Sequence, residues 1–494
     1  MKKVSLTFFH EVRRKTLGSR HMARFSFARE DDTSDVVPDA TTAPNPDELA
    51  ENQLADVSDE IGEIEGDDAA VGEMTETAVA IGDTTDSVEA AVDAGNPPDE
   101  NTMDALATAT EHMFNRVGQW RGTTKMKMES MSGNYRSRKD KASRLRIARE
   151  GVDEWKARLK KLWDTIVAAV KKAIEGVIGF FTKLFSSAGG VKKRADALVK
   201  RIEGMKDMTI SAEDKVSSGS FFKALRKDNR MASESEIKAF TDLAVKNDAG
   251  DITIINGMKI DLVKAYVTKA QEAIKSVDND DTFNSKLNEA ISSFGVIIPQ
   301  GTLSKGNDYV KASPGVAIYE TKLPLGDMSA YKLWNTATEG DSEQVGQALA
   351  QMKLNIEKST GYKEDAKSED VVPVASIDKC KELAEAISKA MAHYDGKPKI
   401  LEEIKKMGEE VKKAMEEATK KGEKSDDQMK IVYKNSTTGA ILGRVCQSIL
   451  TTFLSKVKHY EIMTSKGVCD YVSVSLDKAK KAGAGAAAAA PAAT

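Results

Sequence analysis

The chain has 494 residues, with 73 Lys+Arg against 77 Asp+Glu, a formal net charge of −4, and 40 % hydrophobic but only 6 % aromatic residues. It is long enough for about three domains and a sizeable core. Its three cysteines, Cys380, Cys446 and Cys469, form no CxxC pair. That excludes a disulfide framework and favours a reducing compartment, and no apolar run approaches the ~18 residues of a membrane span.

The near-neutral total hides segregation. Residues 1–29 form a basic leader with eight Lys/Arg and one acid. Its first 21 residues contain an apolar run, Val4–Phe9, that is too short for a signal-peptide core. Met22 is the expected start. Residues 30–115 then carry 25 Asp/Glu and no Lys or Arg, with Phe114 as their single aromatic. Such a segment repels itself and has little apolar surface to bury, so it is expected to be disordered apart from a short helix near Asn101–Phe114. It is either a solvating tail or a mask for a basic surface. Residues 116–150 reverse the sign, with 11 basic and three acidic residues. Arg136, Arg138, Lys139, Lys141, Arg144 and Arg146 fall within twelve residues and are candidate phosphate contacts without sequence readout.

Residues 151–205 hold the clearest pattern. Trp155, Leu159, Leu162, Ile166, Val170, Ile174, Val177, Phe181 and Leu184 recur at steps of three and four, one face of a 3.6-period helix, with lysines around the rest. Ser186 to Gly190 should break this helix, and a second basic helix, Val191–Met205, follows. A cationic face opposite a Trp/Phe/Ile face suits a membrane surface. It suits packing on a protein partner equally well, and packing is the commoner outcome.

Residues 206–372 read as a small α+β module, with strands at Ile252–Ile255, Val296–Ile298 and Val316–Tyr319 and helices at Glu234–Val245, Ile260–Val277 and Asp280–Phe294. Residues 373–481 read as a helical block. Ser376 is its N-cap, and Ile377, Cys380, Leu383, Ile387 and Met391 share a face. Ile400–Lys421, Gln428–His459 and Ser465–Lys481 follow, with Gly422 and Gly467 as breaks. Residues 482–494 are an Ala/Gly-rich tail. The fold class is therefore mainly α, with a long amphipathic helix, a helical C-terminal block, a small α+β middle module and a disordered acidic N-terminal region.

Nucleotide-binding, zinc-protease and serine-hydrolase motifs are absent. His393 and His459 lack ligand spacing, and the cysteines read as small hydrophobes. No catalytic residue, cofactor or metal site is expected.

The composition boundaries share a tripeptide. Ala28-Arg29-Glu30 opens the acidic block and Ala148-Arg149-Glu150 closes the basic linker. A cut after Glu150 would release the polyanion and leave a product with 54 Lys/Arg and 48 Asp/Glu. With this junction, the run Glu154-Trp155-x₃-Leu159-x₂-Leu162-Trp163-x₂-Ile166, then Lys171-Lys172-Ala173-Ile174, Phe180-Phe181-x-Lys183-Leu184-Phe185 and Lys192-Lys193-Arg194-Ala195, resembles the internal head proteins of giant tailed bacteriophages over Met22–Met205. The resemblance implies a propeptide that directs the chain into the prohead and a prohead protease that cuts after Glu in Ser/Ala/Gly-x-Glu motifs. It also implies a mature product kept inside the capsid, or ejected with the genome. Ala148, Arg149 and Glu150 fit the motif best, with Ala28-Arg29-Glu30, Ser58-Asp59-Glu60 and Ser87-Val88-Glu89 as lesser candidates. The implied partners are the prohead protease, capsid or inner-head proteins and packaged DNA. A membrane surface is the partner on the bilayer reading, and a scaffold degraded on maturation is the remaining alternative.

Overall fold

The computed structural model describes, with short gaps, residues 46–108 and 135–481. The leader 1–29, the cleavage candidate Ala28-Arg29-Glu30, most of the basic linker and the tail 482–494 lie outside them. The chain is mainly α with a small sheet in its middle. It divides into two compact units, Thr77–Trp163 together with the N-terminal stretch, and Pro44–Glu76 together with Asp164–Thr494.

Where composition predicts a disordered acidic block, a 48-residue helix stands, α1 (Pro46–Asp93). Its inward positions explain this. Val57, Ile61, Ile64, Asp68, Val71, Thr75 and Ala78 follow one another at alternating steps of four and three, and Ile81, Thr85, Val88 and Val92 continue the stripe. Three of these positions are polar, which hides the period from a hydropathy reading. Each has a hydrogen bond: Thr75 and Thr85 donate to the Val71 and Ile81 carbonyls at 2.7 and 2.8 Å, and Asp68 accepts from Ser448 at 2.9 Å through one carboxylate oxygen, Oδ2.

In the first unit, the short helix expected near Asn101 is present as α2 over 100–108. Asp99 caps it, accepting from the Thr102 N–H at 2.9 Å. Helix α3 (Lys141–Glu203) begins here and runs unbroken for 63 residues. The expected break at Ser186–Gly190 does not occur. Ser187 and Ala188 are buried on the helix's inner face, and Ser187 Oγ bonds back to the Lys183 carbonyl at 3.3 Å. Small residues there shorten the packing distance and leave the helix intact.

The second unit contains the sheet and most helices. Helices α4 (Glu234–Lys246), α5 (Ile260–Lys275) and α6 (Asp280–Gly295) lie where periodicity places them. Asn279 caps α6 through the Thr282 N–H at 2.9 Å. The strand expected at Val296–Ile298 is instead the turn that ends α6, with Ile297 and Ile298 buried over its end. The strand expected at Ile252–Ile255 lies outside the described residues save Ile255, which is in a bend. The strand expected at Val316–Tyr319 is the second of an antiparallel sheet, β1 (Thr302–Ser304), β2 (Val316–Lys322), β3 (Met328–Asn335) and β4 (Lys353–Lys358). β2 and β3 pair from Val316↔Asn335 to Lys322↔Ser329, and their connection turns at Gly326 and Asp327, with φ of +78° and +50°. The Asp327 carboxylate is held there by Arg226 Nε at 2.9 Å.

Ser376 caps α7 (Ile377–Met391), as its position predicts, and α8 is Lys399–Lys421. The chain then forms α9 (Met429–Ser448), one π turn over Ile449–Phe453, and α10 (Leu454–Leu476) without interruption. Gly467, expected as a break, lies inside α10. A Cβ there would meet the Ala224 methyl at 2.6 Å, so glycine is present for close packing. Gly422 lies outside the described residues. Almost every residue from Gly439 to Val472 is buried. Cys380, Cys446 and Cys469 are buried free thiols, and burial pushes Cys380 and Cys446 up to about 12.

Candidate functional site

The junction of acidic and basic sequence is the chemical feature that composition singles out, and each unit holds part of it. In the first unit, Ala148-Arg149-Glu150 lies within α3. Ala148 and Gly151 are buried, while Arg149 and Glu150 are exposed. Arg149 Nη2 stands 3.5 Å from Asp93, and Glu150 stands 3.7 Å from Arg146. Arg144 reaches Glu100 at 2.5 Å, donates to the Arg138 carbonyl at 2.6 Å and lies 5.5 Å from the centre of the Tyr135 ring. Lys156 meets Glu89 at 2.6 Å. Positions 89, 93 and 100 thus face 156, 149 and 144, an antiparallel hairpin with acid on one arm and base on the other. Of the six candidate phosphate contacts, Arg144 and Arg146 are engaged in these pairs, Arg138 and Lys141 are exposed, and Arg136 and Lys139 lie outside the described residues. The motifs ending at Glu60 and Glu89 are also helical.

In the second unit the acidic arm meets further cations. Glu60 pairs with Lys183 and holds its ammonium above the ordinary range. Glu65 pairs with Lys456, whose Nζ also reaches Asn355 Oδ1 at 2.9 Å and both the Ile356 carbonyl and Glu357 at 3.0 Å. Asp68 lies 3.9 Å from Lys353. Burial raises the Asp67 carboxyl despite Lys172 nearby, and burial lowers His459 to about 4. His459 Nε2 is 3.4 Å from Ser58 Oγ. At Gly72 the bare Cα admits the Arg444 guanidinium, since a Cβ would lie 3.2 Å from Nη2.

The nine apolar stripe residues of α3 are all buried: Trp155, Leu159 and Leu162 in the first unit, and Ile166, Val170, Ile174, Val177, Phe181 and Leu184 in the second. Each large side chain contributes about 1.5–3 kcal/mol by leaving water. In the second unit the stripe meets α8 at Gly408, where a Cβ would come within 2.6 Å of Ile174 Cγ2. It continues through Phe181 and Phe185, 5.6 Å apart, to Tyr394, 5.2 Å further. Lysines beside it are engaged too: Lys171 with Glu416 at 3.3 Å and Lys192 with Asp395 at 3.4 Å. Arg194 reaches Asp470 at 2.5 Å. This face is covered by the chain itself, and no helix among the described residues is long and apolar enough to cross a membrane.

Sequence reasoning passed over Lys353, Arg444 and Lys456, and weighed His459 only as a metal ligand. Their signal is faint, being charged or titratable residues in or beside otherwise buried segments. His393 is half-buried, 3.2 Å from the Val245 carbonyl. Among the described residues no group of His, Cys, Asp and Glu is placed to hold a metal ion.

A family model of phiKZ-like phage internal head proteins matches residues 59–441, reaching well past the Met205 limit of the sequence resemblance and through the sheet module into α9. No curated protein and no solved structure matches the chain.

Proposed function

The chain belongs to the phiKZ-like phage internal head proteins, and from that premise we propose that this structural protein of the head interior is packaged as a precursor and matured by a head protease cutting after Glu150. The released segment would contain all of α1 and α2. The observation that carries this reading is the pairing of that segment with cations that stay behind: Glu60 with Lys183, Glu65 with Lys456, Asp68 with Lys353 and Glu89 with Lys156.

Before cleavage these carboxylates occupy the places that backbone phosphates would take. After cleavage Lys156, Lys183 and Lys353 lose these acidic partners inside a capsid filled with polyanion, while Lys456 loses Glu65 and keeps Glu357. Phosphate binding by counterion release is then favoured. In this reading the acidic segment acts as a temporary mask, and the mature protein is a non-specific DNA-associated component of the head interior.

The scissile bond sits within α3, whereas a protease needs an extended substrate, so cutting must wait for the turns around Arg146–Val152 to open. Those turns are held partly by the ion pairs of Arg144, Arg149 and Lys156 with the acidic arm.

The mask is tested with the full chain in a duplex-DNA binding titration at several salt concentrations. Relative to wild type, Glu60→Gln/Glu65→Gln should bind more tightly and steepen the salt dependence by about one to two units of log–log slope. Unchanged binding would refute masking by α1.

A further inference from the structure

We propose that a cavity in the second unit, bordered by Arg444, Lys353 and Lys311, binds an oxyanion of phosphate size. The site belongs to the intact chain and does not depend on cleavage after Glu150.

The guanidinium of Arg444 is permanently charged and offers five donors in a planar fork, yet the residue is only 4 % exposed. Nη1 donates to the Ala350 carbonyl at 2.9 Å, while Nε is buried without a hydrogen-bond partner. No carboxylate among the described residues lies within ion-pair distance of it. Burying a cation without a counter-ion is costly, and proteins meet that cost with a partner charge. Arg226, the other deeply buried arginine among the described residues, has one in Asp327 at 2.9 Å. Arg444 does not.

Arg444 borders a cavity of about 190 Å³, together with Lys353, Lys311 and, among the described residues, one lining carboxylate, Glu76. With Asp68 3.9 Å from Lys353 counted as well, three cations stand against two acids among the described residues, and the described lining stays net positive. The volume exceeds many times the ~10–15 Å³ that one water requires, so a tetrahedral oxyanion with its hydration fits. Two apolar lining residues come from the sheet. Val316 and Leu333 come from the paired strands β2 and β3, and Leu333 lies opposite Ile318 in the register. Gly72 supplies the bare Cα against which the guanidinium rests. A fixed planar fork with two flexible ammonium groups around it is an arrangement suited to bidentate capture of phosphate oxygens.

Two sources share this chemistry, free inorganic phosphate and the phosphate of a nucleic-acid end. Isothermal titration of the full chain at constant ionic strength, with chloride as the control anion, separates them by comparing inorganic phosphate with a 5′-phosphorylated and an unphosphorylated hexanucleotide. A saturable one-to-one heat with inorganic phosphate assigns the free anion. Binding of the phosphorylated oligonucleotide more than tenfold tighter than either other probe assigns the nucleic-acid end. In both cases Lys311→Gln, at an exposed position that leaves the fold untouched, should weaken binding severalfold. Arg444→Lys, which keeps the charge and removes the fork, should weaken it tenfold or more in a protein of unchanged circular dichroism. No saturable heat with any probe would overturn the proposal. So would an affinity that both Lys311→Gln and Lys353→Gln leave unchanged.

Discussion

The two long helices, α1 and α3, are built on opposite plans. Along α3 every inward position from Trp155 to Leu184 is a large apolar side chain. Along α1 the inward positions include Asp68, Thr75 and Thr85, and no Lys or Arg offsets its acids. Helix α3 supplies its own reason to be buried. Helix α1 depends on what its partners provide: the Ser448 hydroxyl for Asp68, and lysines for Glu60, Glu65 and Glu89. A segment whose apolar stripe is interrupted by polar groups that need partners is suited to removal, and a segment held by a continuous face of large apolar side chains is suited to stay.

The contrast can be broken most forcefully in α3. Phe181 is fully buried between Phe180 and Phe185, so Phe181→Ala should cost about 3–5 kcal/mol through lost transfer energy and a cavity. A fall in urea midpoint with an unchanged slope would report it. A loss below about 1 kcal/mol would mean that the stripe is not the anchor described.

Acid should act where the second unit receives α1. His459, beside Ser58, has its pKa lowered by burial from 6.5 to about 4. The unfolded state binds the proton first, so this contribution is complete above about pH 6.5 and is lost as the pH falls towards 4, by up to about 3 kcal/mol. Thermal melts of His459→Leu should be flatter than wild type across that window. Parallel curves would show that the neutral ring is not what holds there.

Glycines sharpen the comparison at smaller scale. Gly467→Ala in α10 pushes a methyl against Ala224 and should cost about 1–3 kcal/mol by overpacking. Gly82→Ala in α1 meets nothing within 4 Å and should gain about 0.5–1 kcal/mol from helix propensity. Melting temperatures of the two variants should therefore move in opposite directions.

These particulars show what the sequence makes legible. The α3 stripe, the Ser376 cap and helices α4 to α6 follow from spacing and local chemistry, and the structure places them accordingly. The α1 helix was hidden because charge density dominates a composition reading while its heptad spacing includes polar residues. Gly467 and Ser186–Gly190 look like breaks in sequence because small residues have two uses, ending a helix or bringing another element close, and only the neighbour distinguishes them. Val296–Ile298 has a strand's composition but serves to cover the end of α6. Among candidate site residues, the tripeptide at Glu150 is plain in sequence, whereas its enclosure within a helix is not. The buried cations Lys456 and Arg444 emerge only when the fold brings distant segments together.

The central claim is that α1 belongs to the precursor alone. Mass spectrometry of purified mature virions tests it directly through the N-terminus of the packaged chain. The account predicts a product beginning at Gly151, with peptides from Ala55–Asp93 lacking or strongly depleted. Abundant α1 peptides in mature particles, with no terminus at Gly151, would contradict it.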